Sequence, residues 1–319
     1  MIWILGGSGY IGEAIVRAAQ SAKKDHRSVS RKDLDYGDFR VFLAALKKGK
    51  PDFVINAAGF TGKPNVDACE KFKAETIAGN VTLALSVAQA CDVAGIKLGT
   101  VSSGCIYTGA KILRKDGSWA VEDRLTEPLI SELLEQRSDK IRGFAEDDEP
   151  NFTFEHNNCS FYSGTKAVAE RALRGFPDFY VWRIRIPFDE LDGPRNYLSK
   201  VQRYNKVYQN WNSLTHRGDF ARACLTFASE KFPGGIYNMT NPGYVSTREV
   251  VEKIQKGLKP GWKPDFWSGD DEFYRFGAGT PRSNCVLDTV KAEKAGIVLR
   301  AVDEALDESL FQWGEAKIT

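Results

Sequence analysis

Residues 1–12 read Met-Ile-Trp-Ile-Leu-Gly-Gly-Ser-Gly-Tyr-Ile-Gly, and the fold is decided there. The apolar run from Ile2 to Leu5 suits a buried parallel strand, and residues 13–20 place apolar side chains three and four apart, as on a helix face. Between them Gly6, Gly9 and Gly12 stand in a G-x-x-G-x-x-G spacing. In a strand–turn–helix unit such glycines permit a tight turn, let backbone N–H groups approach a pyrophosphate, and bring the helix close to the sheet. The helix N-terminus then faces the phosphates with its partial positive charge. Gly6, Gly9, Tyr10, Ile11 and Gly12 are therefore expected to hold a dinucleotide. Ordinary turns also collect glycines; the flanking strand and helix are what give the spacing its weight.

The 319 residues allow one large α/β domain or two lobes. A net charge of +2 gives no reason to expect nucleic acid or an anionic membrane as partner. Six scattered cysteines without a C-x-x-C pair argue against a zinc site, or any other metal, and against a disulfide framework. No apolar stretch approaching roughly 18 residues and no signal-peptide pattern is read, so a cytoplasmic enzyme is expected.

Outward from the glycine turn, residues 27–31 suit a second strand. Many NAD-binding folds carry an acid near its end, for the ribose 2′-hydroxyl. Here Ser28-Val-Ser-Arg31-Lys32 offers hydroxyls and cations, so Arg31 is expected to favour a 2′-phosphate, with NADP(H) preferred and NAD(H) possible. The other reading is a solvated basic turn. Residues 38–48 read as a helix stopped by Gly49. A strand over 53–56 ends in Asn56, Ala57 and Ala58, small enough for a cofactor to lie against. A helix then runs to about Gly95 and carries Asn80, read either as a buried kink residue or as a surface polar one. The next strand, 97–102, ends at Ser102-Ser103-Gly104-Cys105.

Residues 108–150 read as a long polar surface excursion with a helical patch near 128–136. A helix opens at Phe161-Tyr162-Ser-Gly-Thr-Lys166, and a strand over 179–186 stops at Pro187. The strand–helix alternation then weakens. Ser246 and Glu249 form a capping box for a helix to Gly257, and 258–284 looks loop-like. The fold class expected is α/β, a Rossmann-type doubly wound parallel sheet with a smaller C-terminal lobe. Residues 1–186, with 218–240 returning to them, would bind NADP(H); 187–217 and 241–319 would bind substrate.

Tyr162 and Lys166 are one helical turn apart and share a face. A nearby ammonium is expected to lower the phenol's pKa, letting Tyr162 pass a proton, while Ser103 hydrogen-bonds the same carbonyl oxygen. Chance supplies such a pair on many amphipathic helices. With the glycine turn and the strand-end serine in this order, the pair reads as catalytic.

These residues resemble the extended short-chain dehydrogenase/reductase family, over nearly the whole chain. Asn56-Ala-Ala-Gly59, Thr61-Gly-Lys-Pro-Asn-Val-Asp67, Gly104-Cys-Ile106, Pro194-Arg-Asn196, Thr240-Asn-Pro-Gly243 and Pro281-Arg-Ser-Asn284 are similar to the bifunctional 3,5-epimerase/4-reductases that act on nucleotide-linked 4-keto-6-deoxyhexoses. The related dTDP-4-dehydrorhamnose reductases usually carry an aromatic residue where this chain has Cys105. The resemblance implies that Cys105 and Lys200 move protons at C3 and C5, and that the chain is a homodimer through the helices around residues 80 and 166. It also implies a nucleotide-sugar substrate touching Thr61, Asn65, Arg195, Asn196 and Arg282, the arginines suited to a diphosphate. The chain departs from the family in a longer 108–150 segment, in Gly164 where a larger residue is common, and in Ser103 where threonine is frequent. A plain 4-reductase and a non-catalytic NADP(H)-sensing protein are the rival readings.

Overall fold

The computed structural model describes residues 1–63, 65–156, 159–176 and 178–314, so Pro64 of the quoted motif lies outside the described residues. Six strands form one parallel sheet: β1 (Ile2–Leu5), β2 (His26–Val29), β3 (Phe53–Asn56), β4 (Lys97–Ser103), β5 (Tyr180–Ile184) and β6 (Gly235–Asn238). Their spatial order is β6-β5-β4-β3-β1-β2. From β1 the chain steps outward to β2, then crosses back to β3 on the other side, with Leu5 level with Asn56. The carboxyl ends of β1 and β3 therefore form a topological switch point, where open α/β sheets bind ligands.

Alternation along the strands explains the layering. Ile2 and Ile4 join Phe53, Ile55, Tyr180 and Trp182 under helices α1 (Tyr10–Ser21) and α5 (Arg217–Ser229). Trp3 and Leu5 join Val54, Leu98 and Val181 under α2 (Phe39–Gly49) and α3 (Lys73–Ala94). Both faces are covered, as a parallel sheet requires. Helix α4 (Phe161–Leu173) lies on the second face beside α3.

Helix α3 is long and apolar enough to suit a membrane by length and composition, which corrects the expectation that no such stretch exists. Its Leu83, Val87, Ala88, Ala90 and Cys91 are buried against the sheet, as in a core helix. The C-cap expected of Gly49 is also corrected. Lys50 takes the left-handed conformation (φ 43°), and Gly49 instead lies under Trp3, where a Cβ would come within 2.3 Å of the ring.

Residues 108–150 are not a surface excursion. Trp119–Glu122, Ala110–Leu113 and Ile141–Arg142 form a three-stranded antiparallel sheet, and helix Pro128–Glu135 packs near it. Ala110, Leu125, Ile130, Leu134 and Ile141 bury themselves against Trp211 and Val286. A further core joins Phe188, Leu198, Val201 and Leu214 to helices Thr247–Gly257 and Val302–Phe311. The Ser246–Glu249 capping box forms: the Ser246 side chain accepts from Glu249 N–H at 3.0 Å and the Glu249 carboxylate accepts from Ser246 N–H at 2.6 Å. At the joint between this core and the main sheet, Asp219 of α5 accepts from Arg300 (2.9 Å) and Asn241 (2.8 Å).

Candidate active site

The glycine turn is built for close approach. Gly6 takes φ +74°, and a Cβ there would meet Ala58 Cα at 2.8 Å; one on Gly12 would meet the Gly6 carbonyl oxygen at 2.1 Å. Gly9 caps α1 with no side-chain hydrogen bond, which leaves the first-turn N–H groups free for an anion. Asn56 is buried and shapes the facing turn, accepting from Ala58 N–H (3.1 Å) and donating to Thr100 (3.2 Å). Ala57 and Ala58 thus present backbone at the switch point. Tyr10 stacks its ring under the Arg217 guanidinium at 3.7 Å. Arg31 follows β2 in an exposed turn, where Ser30 Oγ accepts from Lys32 N–H.

At the carboxyl end of β4, Ser103 breaks into a tight turn over Gly104–Ile106, and its Oγ accepts from Cys105 N–H at 3.2 Å. Ser160 caps α4 and places Tyr162 in the first turn, with Lys166 one turn on; Lys166 Nζ stands 5.9 Å from the Tyr162 ring centre. The Ser103 hydroxyl stands beside both the Tyr162 phenol and the Cys105 thiol, with Ser163 beside the thiol as well, and favours the charged form of each. Asn80 proves to be the buried kink residue. It sits in a π-turn over Ala78–Thr82, clamps both backbone groups of Phe60 at 2.9 Å, and donates to Thr165 of α4 at 3.3 Å. That clamp holds the β3 loop against the Tyr–Lys helix, and a Cβ on Gly59 would lie 3.6 Å from Lys166 Nζ. Gly164 has its reason too: a Cβ there would strike the Phe154 ring at 2.2 Å.

Burial dominates the electrostatics. It pushes the Cys105 thiol up, against hydrogen bonds from Ser103 and Ser163 and the charges of Arg185 and Lys166. It pulls Lys166 down, with Cys105 and Glu170 opposing. The expected lowering of the Tyr162 phenol is not seen. Burial and the neighbouring thiols Cys105 and Cys69 raise it, and only Ser103 pulls it down. The physical reason is that burial dominates, while Lys166 stands 5.9 Å from the ring centre and is itself a weakened cation.

The structure brings Ser103, Cys105, Tyr162 and Lys166 together. Lys200 joins a different group: it is pulled down by burial and by the cations Arg195 and Arg282. Arg195 is exposed. Arg282 grips Asp67 with a two-pronged fork, at 2.5 and 2.9 Å, and also donates to Thr280. Thr61 is half-buried in the same loop as Asp67, and Asn65 spends its carbonyl on Asp67 N–H at 2.9 Å. Asn196 corrects the reading of it as a substrate contact. It is fully buried, donates to Asp189 and Leu191, and accepts from Leu198 N–H, so its amide is consumed inside the chain. Sequence reasoning missed Ser163 and Arg185. The signal for Arg185 was present, since two arginines interrupt the otherwise apolar run Tyr180-Val-Trp-Arg-Ile-Arg-Ile186.

This fold and site define a Rossmann-type enzyme with a Ser–Tyr–Lys centre joined by a cysteine. The profile of the RmlD substrate-binding domain matches residues 1–131. The chain is 32% identical over 310 residues to the bifunctional dTDP-4-dehydrorhamnose 3,5-epimerase/dTDP-4-dehydrorhamnose reductase of Arabidopsis thaliana, covering 97% of this chain and 92% of that one. It is 33% identical over 284 residues to a trifunctional UDP-glucose 4,6-dehydratase/UDP-4-keto-6-deoxy-D-glucose 3,5-epimerase/UDP-4-keto-L-rhamnose-reductase of the same plant, covering 87% of this chain and 38% of that one. The fold is shared with the UDP-rhamnose synthase of Acanthamoeba polyphaga mimivirus (TM-score 0.81, 24% identity, 98% of this chain and 99% of that one). The chain belongs to the family of bifunctional 4-dehydrorhamnose 3,5-epimerase/reductases.

Proposed function

We propose that the chain is an NADPH-dependent 3,5-epimerase/4-reductase that converts a UDP- or dTDP-linked 4-keto-6-deoxyglucose to the nucleotide-linked L-rhamnose. The observation that carries this is Cys105, whose backbone N–H donates to Ser103 Oγ at 3.2 Å and whose thiol lies beside Tyr162 and Lys166. A plain reductase needs no thiol at that position. The ketone at C4 acidifies the hydrogens at C3 and C5, so inversion needs a base on one face and an acid on the other. Cys105 would serve as the base and Lys200 as its partner, while Ser103 and Tyr162 hold the enolate oxygen by hydrogen bonds. Tyr162 then protonates O4 when the ketone is reduced, and Lys166 holds the nicotinamide ribose.

The glycine turn and the backbone of Ala57 and Ala58 fit a dinucleotide, which supplies hydride when bound. Residues 1–186 with 218–240 would carry it, and 187–217 with 241–319 the sugar nucleotide, its diphosphate on Arg195 and Arg282. Arg31, with no acid between Ser28 and Lys32, supports NADP(H) over NAD(H). Exposed Phe72, Ile77 and Val168, at α3 and on α4, support a homodimer through those helices, working in the cytoplasm.

One observation favours a plain 4-reductase: Lys200 groups with Arg195 and Arg282, both cations. Incubating the protein with UDP-, dTDP- and GDP-linked 4-keto-6-deoxyglucose and following NADPH oxidation tests the proposal. Turnover with the UDP or dTDP sugar is expected. Turnover only with the already epimerised keto-sugar would leave the plain reductase, and none with any sugar would contradict both.

A further inference from the structure

We infer that Asp67 is the positioning residue for Arg282: it grips one end of the guanidinium so that the neighbouring edge is presented to the phosphates of a nucleotide-linked substrate. The phosphate contact rests on the proposed function; the grip rests on hydrogen bonds alone. Arg282 is anchored from its own side of the cleft, because the residues after it run onto the turn that follows β4. Ser283 Oγ donates to the Tyr107 carbonyl at 2.5 Å, the Asn284 carbonyl accepts from Gly109 N–H at 2.6 Å, and Cys285 pairs with Gly109. Asp67 is anchored from the other side. Its N–H donates to Asn65 Oδ1 at 2.9 Å, and Glu70, on the same short helix, accepts from Phe161 N–H at 2.7 Å, next to Tyr162. Asp67 and Arg282 thus meet across the two elements that carry Cys105 and Tyr162.

A guanidinium carries five N–H donors in one rigid plane. Nη1 gives one to Asp67 Oδ1 at 2.5 Å and the other to Thr280 Oγ1 at 2.8 Å, and Nη2 gives one to Asp67 Oδ2 at 2.9 Å. Thr280 in turn donates to Asp67 Oδ1 at 2.7 Å, so carboxylate, hydroxyl and guanidinium lock one another. The Nε–H and the second Nη2 hydrogen remain, and neither has a partner among the described residues. They lie side by side on one edge, the arrangement that receives two phosphate oxygens at once. The Arg282 side chain is 24% exposed, so a ligand can reach that edge. Burial and then Arg195 and Arg282 pull Lys200 down, so a second cation neighbours the guanidinium. Two effects of Asp67 oppose each other. Its charge repels a phosphate, but both charges are partly exposed and water screens them. Its grip fixes the arginine before the ligand arrives, which removes an ordering cost from binding, and this effect is the larger.

The test is the affinity of the NADPH-saturated protein for UDP and for dTDP, by titration calorimetry, in wild type, Asp67→Asn, Thr280→Val, Arg282→Met and the Asp67→Asn/Arg282→Met double variant. Asp67→Asn keeps the side-chain shape and removes a negative charge, yet it is expected to weaken the nucleotide that wild type binds by about fivefold or more. Thr280→Val removes only the hydroxyl that locks the pair and is expected to weaken it about twofold, so it decides the matter if Asp67→Asn does not fold. With Arg282 already replaced by Met, Asp67→Asn should cost nothing further. In turnover the loss should fall on KM for the sugar nucleotide more than on kcat. Unchanged or tighter binding in folded Asp67→Asn, or in Thr280→Val if that variant alone folds, overturns the inference, as does an equal loss from Asp67→Asn with and without Arg282. If Arg282→Met weakens binding and Asp67→Asn does not, Arg282 keeps its place on the diphosphate and only the inference falls. If Arg282→Met binds as wild type does, or wild type binds neither nucleotide, the diphosphate reading of Arg282 falls and the inference with it.

Discussion

Under the proposed function Cys105 and Tyr162 divide the chemistry, and each predicts a different loss. Cys105→Ser keeps a small hydroxyl beside Ser103 and Ser163 but removes the thiol. Proton exchange at C3 and C5 should fall by about a hundredfold or more, while reduction of the already epimerised sugar falls much less. Tyr162→Phe should lose both, because the phenol serves the enolate and the alkoxide alike. Equal losses in the two reactions for Cys105→Ser, measured by deuterium content and NADPH oxidation, would place the cysteine outside the chemistry. That Cys105, Tyr162, Lys166 and Ser103 lie together was legible, because one strand end and one helix face carry them. Asn196 was misread because a motif match does not show that a side chain is spent on its own backbone neighbours.

Among the elements, capping chemistry was readable and long-range pairing was not. The Ser246–Glu249 box is local, and residues three apart report it directly. Glu249→Ala should cost about 1 kcal/mol and lower Tm by about 2 °C in thermal unfolding, with activity kept. The strands between 108 and 142 are short, charged and closed by Trp211 and Val286 from far along the chain, so no local pattern announced them. Gly49 shows the same limit, since its partner Trp3 is contributed by another element. Asn80 lay between: its place in the helix was evident, but the π-turn that aims it at Phe60 and Thr165 was not.

For the whole molecule, the joint between the sheet and the C-terminal core is ionic and therefore responds to pH. Burial opposes the charge on Asp219, but hydrogen bonds from His216, Arg300 and Asn241 hold its carboxyl well below the usual range. Glu190 is lowered to about 2, first by His216. Burial opposes the charge on His216 too, and Asp219 and Glu190 nevertheless raise it above 6.5. A depressed carboxyl stabilises above its unfolded pKa of about 4 and loses that contribution as pH falls; a raised imidazole contributes fully below about 6.5 and loses it as pH rises. The joint should therefore be firmest between about pH 4.5 and 6.5. Asp219→Asn should cost about 3 kcal/mol in that window, and its Tm should fall less steeply with acid than the wild type's. Parallel Tm–pH curves for the two proteins would contradict this.

In the proposed function a thiol, a phenol and a hydride donor act on one sugar carbonyl in sequence. The most direct measurement is the deuterium content of the product formed from nucleotide-linked 4-keto-6-deoxyglucose and NADPH in deuterated water. The expected product is an L-rhamnose carrying deuterium at both C3 and C5, formed about a hundredfold more slowly by Cys105→Ser. Product free of deuterium at those carbons would contradict it.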